Sequence, residues 1–178
     1  MQKDESLNST IRNVKDGRNK YLTFSIGDED YELAILKVRG IEGLLTITKI
    51  PRMPDYIKGI INLRGKVIPI IDLRLKFGVE EIPYNDRTCC IIVEITSKRG
   101  IIVMGIIVDK VLEVLNIGVD EIENNINFGT FVEDQYILGI AKAKEGTQII
   151  LDIDKVMTSE ELSLIEKVEK DDKTKQRQ

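Results

Sequence analysis

Several residue types are absent or scarce in this 178-residue sequence, which contains no histidine, no tryptophan and only two cysteines. Histidine is the commonest general base and a frequent metal ligand, so its absence removes the usual route to acid–base catalysis and to a zinc site. Aromatic residues make up only 5% of the chain, which gives no support for a platform that stacks nucleic-acid bases. The net charge of −4 also argues against a general nucleic-acid binder.

Motifs of nucleotide-dependent and hydrolytic enzymes are missing as well. The sequence has no phosphate-binding P-loop, no Gly-x-Gly-x-x-Gly and no Gly-x-Ser-x-Gly. Cys89 and Cys90 are adjacent, and they lack the Cys-x-x-Cys spacing of redox and zinc sites. Neighbouring residues on a strand point to opposite faces, so we expect packed, reduced thiols without a disulfide. The sequence therefore predicts a binding protein that is not an enzyme and needs no cofactor or metal.

Long hydrophobic runs are also missing. The longest apolar run, Gly100–Val108, is far shorter than the roughly 20 residues of a membrane-spanning helix. Residues 1–19 are polar and lack the apolar core of a secretory signal, so we interpret them as a flexible N-terminal arm. These features predict a cytoplasmic protein with no direct membrane insertion.

What the sequence does contain is a series of short apolar runs separated by turns. The clearest is GIINLRGKVIPIIDLRLKF, residues 59–77, in which two apolar runs flank the polar tip Asn62–Gly65. After the tip, strand alternation gives one wholly apolar face and a second face that carries the polar residues, so the pattern predicts a β-hairpin whose second strand continues to Lys76. The apolar face is Val67, Pro69, Ile71, Leu73 and Leu75, and the other is Ile68, Ile70, Asp72, Arg74 and Lys76.

A second hairpin repeats the first at an offset of 80 residues. The residues that recur are Tyr56-Ile57, Gly59-Ile60 and Asp72, which match Tyr136-Ile137, Gly139-Ile140 and Asp152. Short strands at this spacing predict closed or nearly closed barrels. We therefore expect an all-β domain over residues 20–158, with approximate barrel halves 20–87 and 88–158 that exchange strands or remain separate. The recurrence of the aspartate predicts a structural role for it, either in capping backbone N–H groups or in pairing with a nearby arginine.

The C-terminal segment has a different pattern. Residues Thr158–Glu161 have the spacing of a capping box, which places a helix start there. The apolar spacing that follows predicts a short amphipathic helix over 159–170, and the polar residues 171–178 predict a disordered tail.

The segment DYIKGIINLRGKVIPIIDLRLKF strongly resembles the CheW family of bacterial chemotaxis coupling proteins. The resemblance extends over roughly residues 20–165 and includes FSIGDEDYELAILKV, PYNDRT and GIIVDKVLEVL. It implies two SH3-like five-stranded β-barrels and a non-catalytic adaptor. The adaptor would join the regulatory domain of the histidine kinase CheA to the cytoplasmic tip of chemoreceptors in membrane-associated arrays. A CheW-like module of another chemosensory adaptor is the alternative.

The resemblance also suggests site residues. The positions implied for receptor binding are Val38, Arg64, Cys89 and Val114, and those implied for kinase binding are Gly59, Gly105 and Gly139. The sequence departs from the family at Gly40, where family members often carry an acidic residue. A charge contact made from that position is therefore absent or relocated here, with Glu42 as a candidate.

Overall fold

The computed structural model describes residues 19–44, 46–80, 82–124, 136–143 and 146–176. Within these residues the strands are β1 (Lys20–Ile26), β2 (Glu29–Ala34), β3 (Val38–Gly43), β4 (Ile57–Leu63), β5 (Lys66–Asp72), β6 (Cys89–Ser97), β7 (Gly100–Val108), β8 (Lys110–Asn116), β9 (Ile122–Glu123), β10 (Ile137–Ala143) and β11 (Gly146–Leu151). The α-helices are α1 (Leu73–Lys76) and α2 (Ser159–Gln176). Most of residues 1–19 and the last two residues of the predicted tail lie outside the described residues.

The strands form two curled sheets, which confirms the predicted all-β, two-barrel fold. Barrel 1 is the six-stranded sheet in the order β8-β1-β2-β11-β10-β9, and barrel 2 is the five-stranded sheet in the order β3-β6-β7-β5-β4. Barrel 1 exceeds the expected five strands because the two-residue strand β9 pairs with β10.

The two copies of the repeat exchange their strands. In barrel 1, the hairpin β1-β2 of the first copy pairs in parallel with β11 of the second copy, with Glu32 opposite Ile150. In barrel 2, the hairpin β6-β7 of the second copy pairs in parallel with β5 of the first, with Gly105 opposite Ile70. Each barrel therefore contains strands from both 20–87 and 88–158, and the chain crosses between the barrels after β2 and after β7.

Among the described residues, the hydrophobic core has three parts. A central cluster lies between the barrels, and a smaller cluster fills the inside of each one. Strand β6 is buried on both faces: Cys89 belongs to the central cluster, and its neighbour Cys90 belongs to the cluster inside barrel 2. In the described part of the chain neither cysteine forms a disulfide, which agrees with the prediction from strand alternation. Burial raises the pKa of Cys90 to about 12, which keeps this thiol protonated and unreactive.

The repeated hairpins have the same local structure. Each contains a β-bulge at its recurring glycine, between Ile57 and Gly59 in the first copy and between Ile137 and Gly139 in the second. The predicted repeat is therefore confirmed in three dimensions.

The recurring aspartates end these hairpins. The amide of Asp72 donates to the carbonyl of Tyr56 over 2.7 Å, and that of Asp152 donates to the carbonyl of Tyr136 over 2.8 Å. The Asp72 carboxylate accepts from the amide of Arg74 at 3.0 Å, and that of Asp152 accepts from the amide of Asp154 at 3.2 Å. The predicted capping role of both aspartates is confirmed.

The prediction that the second strand of the first hairpin continues to Lys76 is wrong. Strand β5 ends at Asp72, and the chain turns there into the one-turn helix α1. The physical reason is the Asp72 carboxylate, which accepts hydrogen bonds from the first amides of that turn and so favours a helix over an extended strand.

Helix α2 begins at the predicted capping box. The Glu161 amide donates to the Thr158 hydroxyl over 3.1 Å, and the Thr158 amide donates to the Glu161 carboxylate over 2.9 Å. Leu162 and Ile165 pack into the central core, and the helix continues to Gln176, beyond the predicted end at 170. In the described part of the chain, no helix is long and apolar enough to cross a membrane.

Substitution of Thr158 by alanine tests the capping box. We expect Thr158→Ala to lower the free energy of unfolding by about 1 kcal/mol, because an amide of the first helical turn loses its acceptor. Urea unfolding followed by circular dichroism measures this, with Ser159→Ala at the neighbouring exposed residue as the control. Equal losses in the two variants would contradict the assignment of Thr158 as the cap.

Candidate functional site

Arg64 lies at the tip of the hairpin formed by β4 and β5. The turn consists of only two residues, Arg64 and Gly65, whose φ angles are 53° and 85°. Positive φ at both central positions is typical of a type I′ turn, which matches the twist of the strands. The Asn62 side chain accepts a hydrogen bond from the Gly65 amide at 2.9 Å and so supports the turn. The predicted four-residue tip is therefore shorter than expected, and the side chain of Arg64 is 78% exposed.

An open groove of about 630 Å³ lies beside this tip, at the mouth of barrel 2. Its rim is charged, and its wall is made of branched apolar side chains. The rim residues are Arg39, Glu42, Arg64 and Lys66, and the apolar lining includes Leu63, Ile68, Ile92, Ile101 and Val103. Ile101 is 64% exposed, so apolar surface as well as charge is available to a partner here.

Glu42 faces Arg64 across this groove. A guanidinium nitrogen of Arg64 lies 4.0 Å from a carboxylate oxygen of Glu42, and Gly40 lines the same groove. Glu42, the candidate for a charge contact relocated from Gly40, therefore lies close to Arg64, and its part in such a contact stays a prediction. At this distance and exposure the pair is weak, which leaves Arg64 able to exchange Glu42 for a carboxylate of a partner.

The other positions implied for receptor binding lie away from this groove. Val38 is 7% exposed and belongs, with Cys89, to the central core between the barrels. Val114 is half-buried in β8 and packs against the same core. Val38 and Val114 each lie in the strand that follows a crossing between the barrels, and both are part of or pack against the central cluster, whereas Arg64 lies at the exposed hairpin tip. Their role in receptor binding stays a prediction.

Each glycine implied for kinase binding is required by a close approach of neighbouring atoms. A Cβ on Gly59, whose φ is 141°, would lie 2.8 Å from the carbonyl carbon of Thr48 and nearer still to its oxygen. A Cβ on Gly105 would lie 2.6 Å from Ile70, and one on Gly139 would lie 2.9 Å from the carbonyl oxygen of Glu123. All three glycines are buried. The packing of the barrels explains why these residues are glycine, and a contact with the kinase stays a prediction.

The arginine pairing that was predicted as one role for Asp72 is part of a buried ionic network around Arg74, which is 1% exposed. Sequence reasoning missed the extent of this network, because it placed Arg74 on a strand. Its guanidinium donates to both oxygens of Asp72, at 3.0 and 3.1 Å, and to Asp109 at 3.0 Å. It also stacks over the ring of Tyr84. Burial alone would lower the pKa of Arg74, but the hydrogen bonds to Asp72 and Asp109 raise it above its ordinary value.

This network joins the two barrels. Asp109 lies where the chain crosses from β7 to β8, and its second oxygen accepts from the amide of Gly27, in the turn between β1 and β2, at 2.6 Å. Arg74 in turn belongs to α1, directly after a strand of barrel 2. The sequence signal for it was the Asp-x-Arg pattern at the end of β5, which the strand interpretation obscured.

A second buried pair attaches helix α2. The Lys76 ammonium lies 2.7 Å from both oxygens of Glu161 and over the rings of Tyr56 and Tyr136. The Tyr56 hydroxyl also donates to Glu161. The tyrosines of the two repeat copies thus enclose one lysine. Of the four cations in the hairpin segment, Arg74 and Lys76 are structural, and Arg64 and Lys66 are exposed.

The described residues show no arrangement for metal chemistry. Among them, no group of three or more Cys, Asp or Glu side chains could hold a metal ion.

Known proteins that resemble this chain identify its family. The chain matches the CheW-like domain over residues 20–161. It is 37% identical to the chemotaxis protein CheW of Klebsiella aerogenes over 151 residues, which cover 85% of this chain and 89% of that protein. It is 30% identical to the chemotaxis protein CheW of Rhizobium meliloti over 156 residues, which cover 87% of this chain and 97% of that protein. The crystal structure of the scaffolding protein TtCheW from Thermoanaerobacter tengcongensis has a TM-score of 0.70 and 38% identity, and covers 78% of this chain and 91% of that chain. The chain therefore belongs to the CheW family of chemotaxis scaffold proteins.

Proposed function

We propose that this protein is a non-catalytic adaptor that couples chemoreceptors to the histidine kinase CheA on the cytoplasmic side of membrane-associated arrays. The receptor partner is the helical tip of the receptor, and the kinase partner is the regulatory domain of CheA. Family membership supports this proposal, and so does the presence of both charged and exposed apolar side chains at the mouth of barrel 2.

The observation that carries the receptor proposal is the position of Arg64. A two-residue turn holds this cation out from the barrel, beside an apolar wall that includes the exposed Ile101. A receptor helix that carries a carboxylate next to an apolar stripe fits such a surface, since the carboxylate would pair with Arg64 and the stripe would cover the wall. Glu42 occupies the carboxylate position loosely until the partner arrives.

Replacement of Arg64 tests this role. We expect Arg64→Asn to reduce receptor-dependent activation of CheA roughly tenfold or more, as is typical of a central arginine at an interface. Asparagine is chosen because it tolerates positive φ better than alanine, so the turn is retained. The measurement is phosphorylation of CheA in reconstituted complexes with receptor fragments.

The matched control is Lys66→Ala, which removes an exposed cation from the same rim. Thermal unfolding of both variants should match that of the unchanged protein. Unchanged coupling in Arg64→Asn would show that Arg64 does not contribute to receptor coupling. An equal loss in Lys66→Ala would show that the groove acts through its total charge and not through Arg64 in particular.

The kinase side of the proposal concerns the barrels themselves. We propose that the kinase domain pairs with exposed strands whose spacing depends on Gly59, Gly105 and Gly139. Separate pull-downs with the CheA regulatory domain and with a receptor-tip fragment test it. Binding of both supports a CheA–receptor adaptor, and binding of neither would favour a module of another chemosensory adaptor.

A further inference from the structure

The insides of the two barrels differ in polarity. Barrel 2 is filled by apolar residues, and barrel 1 contains a buried acid. In barrel 1, Glu32 of β2 pairs with Thr23 of β1. The equivalent pair in barrel 2 is Gly105 with Ile92, because Glu32 and Gly105 lie opposite the repeat-related residues Ile150 and Ile70. Thus barrel 1 has Glu and Thr where barrel 2 has Gly and Ile.

Glu32 is 0% exposed, and the Thr23 hydroxyl is its side-chain hydrogen-bond partner. The Thr23 hydroxyl lies 2.8 and 3.0 Å from its two oxygens, but a hydroxyl has a single hydrogen to donate. A buried carboxylate needs several donors to remain ionised without a large free-energy cost. The Thr23 hydroxyl supplies a single donor, so the site favours the neutral, protonated form of the Glu32 side chain.

Charged and titratable groups surround this site on several strands. On β1 and β2 they are Tyr21 and Asp30, the latter accepting from Ser25 at 2.6 Å. On β8, Glu113 lies opposite Thr23, and Lys110 lies opposite Ser25 near the end of the strand pair. Strand β11 has no titratable side chain, and on the far side Lys142 of β10 pairs with Glu123 of β9 at 3.6 Å.

We propose that barrel 1 contains a pH-sensitive switch, in which Glu32 is neutral while β1, β2 and β8 are fully packed and loosens these strands when it ionises. Barrel 2, with Ile and Gly at the equivalent positions, lacks the group and keeps its packing. The switch does not depend on the proposed receptor contact.

The direction of the response follows from the environment of Glu32. The pKa of Glu32 is raised from 4.5 to about 7, chiefly by burial. The Thr23 hydrogen bond acts in the opposite direction, and the charges of Asp30 and Glu113 add to the rise. Between pH 4.5 and about pH 7, Glu32 keeps its proton in the folded protein but has lost it in the unfolded chain. Stability therefore falls as pH rises through this window and levels off above it.

Urea unfolding at pH 5, 6, 7 and 8 tests the switch in the full chain. We expect the unfolding equilibrium constant of the unchanged protein to rise on the order of 100-fold from pH 5 to pH 8, relative to Glu32→Gln. Glutamine keeps the shape of the side chain and cannot ionise. The control is Glu113→Gln, which removes a neighbouring exposed acid and should retain most of the pH response. The same pH dependence in Glu32→Gln and in the unchanged protein would overturn the proposal.

Two further measurements on the unchanged protein keep the test decisive if Glu32→Gln does not fold. Carboxyl NMR should give a titration midpoint for Glu32 far above 4.5 and near 7. Hydrogen exchange, corrected for its intrinsic pH dependence, should accelerate in β1, β2 and β8 but not in β6 and β7. A midpoint near 4.5, or equal acceleration in both barrels, would overturn the proposal.

Discussion

Arg74→Leu is expected to lower the free energy of unfolding by about 3 to 5 kcal/mol, because it leaves a buried carboxylate without its counter-ion. Asp72 is fully buried, and Arg74 occupies both of its oxygens. The hydroxyl of Tyr84 and the backbone amides of α1 would remain as its donors. Leucine fills much of the space of the arginine stem, so the loss reports the missing charge more than a cavity.

Urea unfolding at pH 7 measures this loss, with tyrosine fluorescence and circular dichroism as probes because the chain has no tryptophan. The control is Arg39→Leu, which removes an arginine from an exposed pair with Glu94 and should cost less than 1 kcal/mol, as is typical of surface pairs. If both substitutions lower the free energy of unfolding by a similar amount, then the Arg74 network does not hold the two barrels together.

A double variant refines the result. If Arg74→Leu destabilises because Asp72 becomes an unpaired buried charge, then Arg74→Leu combined with Asp72→Asn should recover part of the loss. Asparagine keeps an acceptor for the α1 amides but carries no charge. If the double variant loses as much free energy of unfolding as the two single variants together, then Asp72 and Arg74 contribute independently to stability.

Gly59→Ala is the second substitution with a large expected effect. We expect a loss of at least roughly 3 kcal/mol, since the added Cβ meets two penalties at once. The φ of 141° lies in a region that side chains rarely adopt, and the Cβ would collide with the carbonyl group of Thr48. That carbonyl cannot move away easily, because it accepts from the Ile60 amide at 2.9 Å and so joins the segment before β4 to the sheet.

The control for this substitution is Gly43→Ala, at an exposed glycine where a Cβ would meet no atom within 4 Å. Unfolding by urea should separate the two variants clearly. The comparison also bears on the kinase proposal. If Gly59→Ala abolishes CheA binding while the protein keeps its full stability, then Gly59 lies in the interface, and its closeness to Thr48 is not the reason for a glycine at this position.

Local patterns in the sequence predicted the parts of the fold that depend on short-range forces. The two hairpins, the recurrence of Tyr56 at Tyr136 and of Asp72 at Asp152, and the Thr158 cap are all visible as spacing along the chain. Turn preferences, strand alternation and helix capping act over a few residues, so the sequence displays them directly. The absence of histidine, from which the sequence analysis argued against acid–base catalysis, is likewise read directly from the chain. The exposed Arg64 was also predictable, because a hairpin tip projects its side chain whatever the strands pair with.

The tertiary structure alone decided what depends on contacts between distant segments. Each copy of the repeat places its first hairpin in the other copy's barrel, through parallel pairing that no local signal encodes. That exchange buries Val38 and Cys89 in the central core. It also brings Asp109 to Arg74, so that an arginine expected on a strand forms a buried ion pair between the barrels. It also encloses Glu32 in barrel 1. Burial and charge neighbours set the behaviour of an ionisable group, and both arise only when the barrels have closed.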